Sequence, residues 1–153
     1  MNIALEAGLA ERFVNTDLIR NSFEHMSGSI RYRHHTTVVP MRISIKQYNT
    51  LKKIDQYLES HLSDRLRMVD ISRVSCVSER TLERLFKKAF GITPSAYITL
   101  LRLHKARGEL SKKTNQDRSI AQIAMDLGFT HLGRFSISYR EQFGQSPSEF
   151  RQA

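Results

Sequence analysis

The sequence contains a single cysteine, Cys76, among its 153 residues. An internal disulfide framework is therefore excluded, and the composition fits a reducing compartment. A chain of this length buries roughly 68–70% of its unfolded surface, so its fold needs no covalent cross-links. The sequence also lacks a run of about 18 apolar residues and a charged–apolar–small signal pattern at its start. We therefore expect a cytoplasmic protein with no membrane partner.

Residues that could perform chemistry are scarce. No Ser/His/Asp set or carboxylate pair can be assembled from side chains that lack a packing role in the predicted helices. His34 and His35 are adjacent, whereas a helical metal pair needs a spacing of four residues. A glycine-rich loop that would hold a phosphate group is also absent. The sequence predicts no enzyme, no metal site and no cofactor.

Positive charge, in contrast, is abundant. The chain has 24 Lys/Arg against 15 Asp/Glu, a net charge of +9, and a pI near 10.1. Residues 46–110 carry 13 Lys/Arg and 7 Asp/Glu, whereas residues 1–45 carry 5 and 4 and residues 111–153 carry 6 and 4. The excess thus lies in the body of the chain rather than in a basic tail. Such a balance favours a polyanionic partner, nucleic acid before membrane.

Residues 1–45 differ in pattern from the rest. The stretches ALEAGLAERF and NTDLIRNSFEHM are typical of short amphipathic helices, and SGSIRYRHHTTVVPM is typical of an extended linker or strand. This part is too short to form a domain of its own. From residue 46 onward, apolar residues recur at helical spacing and no strand-rich region follows. The sequence therefore predicts an all-α domain over residues 46–153.

Several residues mark the expected helix boundaries. Asp70 is placed to cap a short helix, and Ser78 to cap a longer one. Gly91 and Gly144 are suited to a left-handed helix stop, and Pro94 to the first turn of the next helix.

One sequence pattern occurs twice in the chain. The stretch RTLERLFKKAFGITPSAY, residues 80–97, returns as RFSISYREQFGQSPSEF, residues 134–150. The copies align at an offset of about 53, and of about 52 before one extra residue near Leu132. Each copy reads as a short helix, a turn and a longer helix with an apolar face, which is the pattern of a helix-turn-helix. We predict the first helix-turn-helix at about 66–91, a long linking helix at about 94–111 and the second at about 119–144.

The polar face of the first long helix carries side chains that suit DNA. Arg80, Glu83, Arg84 and Lys87 follow each other at i, i+3, i+4 and i+7. Arginine can make two hydrogen bonds to guanine and glutamate can accept one from cytosine, whereas Lys87 and Lys88 suit phosphates. One such helix alone is more often an ordinary solvated face. Two of them in duplicate units of a basic chain favour DNA binding.

These motifs resemble the DNA-binding domain of the AraC/XylS family of bacterial transcription regulators. The resemblance rests on VSERTLERLFKKAFGITPSAYI, RLHKARGEL, SIAQIAMDLGF and FGQSPSEFR, and it covers about residues 48–151. It implies two helix-turn-helix subdomains joined by a long helix, which bind adjacent major grooves of a promoter, and transcriptional activation through contact with RNA polymerase. Because members of the family usually carry a longer N-terminal sensor domain, it also implies that residues 1–45 are either the remnant or linker of a sensor region or a natural short extension. The candidate DNA-binding residues are Ser78, Arg80, Thr81, Glu83, Arg84, Lys87, Lys88, His131, Leu132, Gly133, Arg134, Ser136, Ile137 and Arg140.

The chain departs from the family pattern at three positions. Cys76 stands where the first turn usually has glycine, and we expect it to be a small, partly buried structural side chain. Ser72 replaces a common alanine. The second copy has Ile137 where the first has Arg84, so we expect the second helix to rely on Arg134, on phosphates and on a contact between Ile137 and a thymine methyl.

The sequence therefore predicts a sequence-specific regulator that binds double-stranded promoter DNA at the nucleoid and activates transcription. Two other functions fit a basic helical chain. One is an architectural nucleic-acid-binding protein without sequence preference. The other is an interaction module that modulates another regulator through residues 1–45.

Overall fold

A computed structural model of the chain describes residues 43–152, and these residues form helices and connecting turns without any strand. The helices are α1 (Ile45–His61), α2 (Met68–Ser75), α3 (Glu79–Phe90), α4 (Pro94–Ser111), α5 (Ile120–Asp126), α6 (Leu132–Phe143) and α7 (Pro147–Gln152), with a 3-10 turn at Lys113–Asn115. The predicted all-α class, with two helix-turn-helix subdomains around a long central helix, is confirmed. The elements expected before residue 43 lie outside the described residues, and the domain boundary at residue 46 stays a prediction.

Helix α1 braces the first unit. Ser44 caps it, since the Ser44 hydroxyl accepts from the Gln47 N–H at 3.2 Å and the Gln47 side chain accepts from the Ser44 N–H at 3.0 Å. The buried face of α1 continues beyond its last turn, and its residues are Leu51, Ile54, Leu58 and Leu62. The helical spacing of apolar residues that the sequence shows after residue 46 therefore corresponds to a buried face in this helix.

The N-cap of helix α2 lies three residues before Asp70, the cap that the sequence suggests. Its N-cap is Arg67, and Asp70 lies in the first turn rather than at the cap. The Asp70 carboxylate nevertheless accepts from the Arg67 backbone N–H at 3.2 Å and from the Arg67 Nε at 3.2 Å. Asp70 thus stabilises the start of the helix from inside it, because a carboxylate in the first turn reaches back to the exposed N–H groups.

Cys76 ends α2 in a left-handed conformation with φ of 55°. The backbone at this position, where the family usually has glycine, thus has a positive φ, and the expected partial burial is wrong, since Cys76 is exposed. The physical reason is its place at the cap: Ile71 and Ser75 are the buried residues of α2, and Cys76 follows them outside the helix. Ser72 contributes to the same turn by donating from its hydroxyl to the Val77 carbonyl at 2.5 Å.

Helix α3 and helix α6 end in the same way. Gly91 and Gly144 follow them with φ of 73° and 78°, and each donates its N–H to the carbonyl four residues back. Thr93 then caps α4, and Pro94 and Pro147 open α4 and α7. These stops and starts confirm the helix boundaries predicted from glycine and proline.

The two units have separate cores that meet on α4. The first core contains Ile43, Leu51, Ile54, Leu58, Leu62, Ile71, Leu82, Leu85, Phe86, Ala89, Tyr97, Ile98 and Leu101. The second contains Leu103, Ala106, Leu110, Ile123, Ala124, Leu127, Phe135 and Tyr139. The first half of α4 thus completes one core and the second half completes the other, so that a single helix supports both helix-turn-helix units.

Equivalent aromatic clusters show that the repeat is one of packing. In the first unit the ring centroids of Phe86, Phe90 and Tyr97 lie 4.8–5.5 Å apart. At an offset of 53 residues the second unit places Tyr139 against Phe143 at 4.6 Å and against Phe150 at 6.4 Å. Such offset and edge-on ring pairs stabilise a core beyond the area that they bury.

Candidate nucleic-acid interface

Helix α3 separates a buried face from a charged one. Its buried side chains are Leu82, Leu85, Phe86 and Ala89. On the opposite face Arg80, Glu83, Arg84 and Lys87 are all exposed. None of the ion pairs among residues 43–152 uses Arg80, Arg84 or Lys87. Their positive charges are therefore available to an anionic partner from solution.

The hydroxyl groups at the start of α3 serve the helix itself. The Ser78 hydroxyl accepts from the Thr81 N–H at 3.3 Å, and the two hydroxyls lie 2.9 Å apart. This cap orients the first turn, where a recognition helix makes its contacts with base edges. Both predicted residues are exposed, and both hold the first turn of α3 in position.

The two lysines in the last turn of α3 point in different directions. Lys87 lies near the helix end, with its Nζ 3.5 Å from the Gly91 carbonyl. Lys88 donates to the Gln47 Oε1 at 3.1 Å and so lies beside the start of α1. Gln47 could not be inferred from the sequence, because a contact between residues 41 positions apart leaves no periodic signal. The contact places the Lys88 ammonium beside the N-terminus of α1, and a positive charge and a helix N-terminus both favour anions.

Helix α6 presents a different set of side chains at the corresponding place. His131 is its N-cap residue, but its side chain makes no capping hydrogen bond. The whole predicted set on this helix is exposed: His131, Leu132, Gly133, Arg134, Ser136, Ile137 and Arg140. Ile137 is 61% exposed, which is unusual for a large apolar side chain at the centre of a helix, whereas Phe135 and Tyr139 are buried.

Arg140 differs from its counterpart Lys87 in having an acidic neighbour. Its Nη2 lies 3.6 Å from the Glu149 Oε2 of α7. The hydrogen bonds from Ser146 hold the pKa of the Glu149 carboxyl below its usual range, so Glu149 is charged at neutral pH. Part of the Arg140 charge is therefore offset within the protein, which weakens its pull on a phosphate relative to Lys87.

The comparisons with known proteins agree with this geometry. The profile of a family described as a helix-turn-helix domain matches residues 71–153. The chain is 35% identical over 111 residues to the XylDLEGF operon transcriptional activator of Pseudomonas putida, which covers 72% of the chain. The solved structure of a transcriptional regulator from Chromobacterium violaceum, with AraC-type DNA-binding domains, is 36% identical. It superposes with a TM-score of 0.63 over 69% of this chain and 91% of its own.

The chain belongs to the AraC/XylS family.

Within this family, the described helices are the DNA-binding domain, and the relatives are transcription regulators rather than enzymes. The chain spans only 35% of the length of the first Pseudomonas putida activator. It is also 36% identical over 98 residues to XylDLEGF operon transcriptional activator 2 of the same species, covering 64% of this chain and 62% of that one. The shared region is therefore the DNA-binding part of longer relatives.

Other kinds of site find no support in the described part of this AraC/XylS domain. Across residues 43–152, no three His, Cys, Asp or Glu side chains come together in a way that could hold a metal ion. In the same range, no helix has both the length and the apolar character needed to cross a membrane. The exposed faces of α3 and α6 remain the candidate functional surface.

Proposed function

We propose that this protein is a sequence-specific transcription regulator that inserts α3 and α6 into adjacent major grooves of one promoter. The observation that carries the proposal is the shared design of the two helices. In each, the core face is buried, whereas all fourteen residues proposed as DNA contacts are exposed. A repeat that served only the fold would have no need to keep two long outward faces exposed to solvent.

The two helices would read DNA by different means. In α3, Arg80, Glu83 and Arg84 lie in the first two turns, where they can make hydrogen bonds to base edges. In α6, Arg134 can serve the same purpose, while Ile137 provides an apolar contact for a thymine methyl. Recognition of the half-site that α6 contacts would then depend less on hydrogen bonds to base edges and more on shape and apolar contacts.

Affinity would come mainly from phosphates. Residues 46–110 carry the largest share of the net positive charge, with 13 Lys/Arg and 7 Asp/Glu. Lys87 and Lys88 lie at the far end of α3, beside the reading face, and suit phosphate oxygens. Neutralised phosphates release counterions, so binding should weaken steeply with salt.

The length of α4 supports simultaneous insertion. It contains 18 residues and is therefore about 27 Å long at 1.5 Å per residue. Successive turns of the major groove lie about 34 Å apart along one side of the duplex. A spacer of this order lets one chain occupy two neighbouring turns of the groove, with the DNA bent or the units inclined to make up the difference.

We further propose that the protein acts in the cytoplasm, on nucleoid DNA, as an activator that contacts RNA polymerase. The support is that the Pseudomonas putida relatives are operon transcriptional activators. In vitro transcription with purified polymerase tests this part: activation should require the binding site upstream of the promoter. Repression, or no effect despite binding, would contradict it.

Selection of bound duplexes from genomic fragments tests the DNA-binding proposal. We expect one asymmetric motif with two blocks about one helical turn, or about 10 bp, apart. An inverted or direct repeat of such a motif would indicate a dimer. Equal binding of unrelated duplexes would favour an architectural protein instead, and no binding at low salt would favour an interaction module.

A further inference from the structure

Arg102 lies on α4 where the two cores meet. Leu101 belongs to the core of the first unit and Leu103 to the core of the second. The Arg102 side chain is partly withdrawn from water, and this burial lowers the pKa of its guanidinium. The group still stays charged at physiological pH. Because no ion pair of residues 43–152 includes Arg102, other oxygens must compensate for its lost hydration.

Three backbone carbonyls supply that compensation. The Arg102 Nε donates to the Leu62 carbonyl at 2.9 Å, and Nη2 donates to the Asp64 carbonyl at 2.7 Å. Both acceptors lie directly after α1, in the first unit. The Nη1 donates to the Gly128 carbonyl at 3.1 Å, in the turn between α5 and α6 of the second unit. One side chain therefore holds the backbone of both units.

The absence of a side chain at Gly128 leaves space for the Arg102 guanidinium. A Cβ at Gly128 would lie 2.8 Å from the Arg102 Nη2 and 2.9 Å from its Cζ, closer than side-chain carbons approach other atoms. The backbone of Gly128 also has φ of 80°. Its counterpart Cys76 has φ of 55° and carries a side chain, so the turn alone does not demand glycine. The close approach of Arg102 supplies the second reason for glycine at position 128.

We propose that Arg102 is a positioning residue that fixes the orientation of the two helix-turn-helix units and thereby the half-site spacing that the protein accepts. The inference rests on the proposed function, because it assumes that α3 and α6 read one duplex. Rotation of the second unit about the α4 axis would pull the Gly128 carbonyl away from a guanidinium that the Leu62 and Asp64 carbonyls hold. The three hydrogen bonds therefore oppose such rotation.

Spacing on DNA is a sensitive measure of this orientation. Adding one base pair between two half-sites moves one of them by about 3.4 Å and rotates it by about 34° around the duplex axis. Two rigidly joined units cannot adjust to both the shift and the rotation, whereas two units that are joined only by α4 can adjust in part. Loss of the Arg102 contacts should therefore broaden the accepted spacing more than it changes binding to one half-site.

The test uses the full chain and the selected duplex, with zero, one or two base pairs added or removed between the half-sites. Wild type should lose affinity about tenfold or more for each base pair of change, and Arg102→Ala less than about threefold. Arg102→Lys keeps the charge but presents it as a single point that cannot bind three carbonyls, so it should behave like Arg102→Ala. Lys105→Ala removes an exposed positive charge from the same helix and should keep the wild-type spacing profile.

A matched pair of glycine variants tests the same contact without touching Arg102. Gly128→Ala and Gly91→Ala both force a side chain onto a left-handed backbone, with φ of 80° and 73°. A Cβ at Gly91 meets open space, whereas a Cβ at Gly128 displaces the guanidinium. We expect Gly128→Ala to broaden the spacing profile and Gly91→Ala to leave it unchanged. If both variants changed the spacing profile equally, backbone strain would explain the change, and the inference would be contradicted.

A measurement without DNA separates this inference from the proposed function. Spin labels at Glu59→Cys on α1 and Glu141→Cys on α6, in a Cys76→Ser background, report the distance between the units. The distance distribution should be narrow with Arg102 and wider with Arg102→Lys, while circular dichroism shows that both remain folded. Unchanged distributions overturn the positioning role. If the wild-type distance distribution is narrow but the wild type binds all half-site spacings equally, two outcomes follow. The proposal that α3 and α6 occupy two grooves of one duplex and the role of Arg102 in spacing are then both overturned.

Discussion

Cys76 and Gly128 occupy the same position in the two helix-turn-helix units, and both have a left-handed backbone, with φ of 55° and 80°. Glycine adopts this conformation without strain, whereas a residue with a Cβ pays about 1–2 kcal/mol. Cys76 is exposed and lies at the C-cap of α2, where its N–H bonds to the Arg73 and Ser72 carbonyls. The first unit therefore contains a local strain that the second unit lacks.

Cys76→Gly should raise the free energy of unfolding by about 0.5–1 kcal/mol. The gain is the relieved strain, reduced by the larger entropy of glycine in the unfolded chain. Urea denaturation at neutral pH under reducing conditions measures it. Cys76→Ala is the control: it removes the thiol, keeps the Cβ and should change stability by less than about 0.5 kcal/mol. A loss of stability in the glycine variant would contradict this account.

His104 should make the second unit sensitive to acid. Its imidazole is buried and packs edge-on against Phe143 at 5.0 Å. Burial, and to a lesser degree the nearby Arg107, lowers the pKa of His104 to about 4 from an ordinary 6.5. Between these values the unfolded chain binds a proton that the folded chain does not. Stability from this group is therefore full above pH 6.5 and is lost as pH falls toward 4.

The loss should amount to about 2 kcal/mol, after allowance for the part of the shift that solvent screens. Unfolding free energies at pH 7 and pH 4.5 measure it, and His104→Gln, which does not titrate, should flatten the dependence. His131→Gln replaces an exposed histidine and should retain the wild-type slope. Equal slopes for wild type and His104→Gln would show that the acid sensitivity arises elsewhere.

Arg84 and Lys87 should affect DNA binding in different ways. Arg84→Ala should cost about 1–3 kcal/mol on the selected site and relax the choice of one base pair, because arginine can bind a guanine edge with two hydrogen bonds. Lys87→Ala should weaken selected and random duplexes by similar factors and lower the salt slope by about 1, because a phosphate contact carries no sequence information. Fluorescence anisotropy across a salt series distinguishes the two. If Arg84→Ala weakened both duplexes equally, Arg84 would be a phosphate contact.

Ile137 should contact a thymine methyl. Ile137→Ala should cost about 1 kcal/mol on the selected site, since the lost contact removes buried methyl and methylene groups. Replacing single thymines by uracil, which lacks the methyl, should cost wild type a similar amount at one position and leave Ile137→Ala unaffected. Ile137→Arg should change the bound motif at that position. An unchanged motif in Ile137→Arg would rule the contact out.

Much of the fold was predictable because helix boundaries depend on local chemistry. Ser78, Gly91 and Pro94 act through backbone groups within four residues, so their roles could be inferred from the sequence alone. Asp70 was misplaced by a few residues because a carboxylate can stabilise a helix start either from the cap or from the first turn. Cys76 was expected to be partly buried because cysteine commonly is, but its place at the end of α2 decided otherwise.

The exposed residues of the candidate site could be predicted from the sequence, but their contacts with neighbouring helices could not. The faces of α3 and α6 follow from helical periodicity, and the structure places every predicted residue at the surface. The contact of Lys88 with Gln47 and that of Arg140 with Glu149 depend on how α1 and α7 pack. Neither pair could be inferred from spacing along the chain. Both alter how much charge the proposed interface offers to phosphates.

The amino-acid sequence by itself determined the helical class, the two-fold repeat and the family, because these depend on periodicity, caps and recurring motifs. Only the tertiary structure decided that Arg102 joins the Leu62 and Asp64 carbonyls to that of Gly128. Its acceptors are backbone carbonyls 26–40 residues away, and a backbone carbonyl has no residue identity for a sequence pattern to reveal. Their meeting point exists only once both cores have closed on α4.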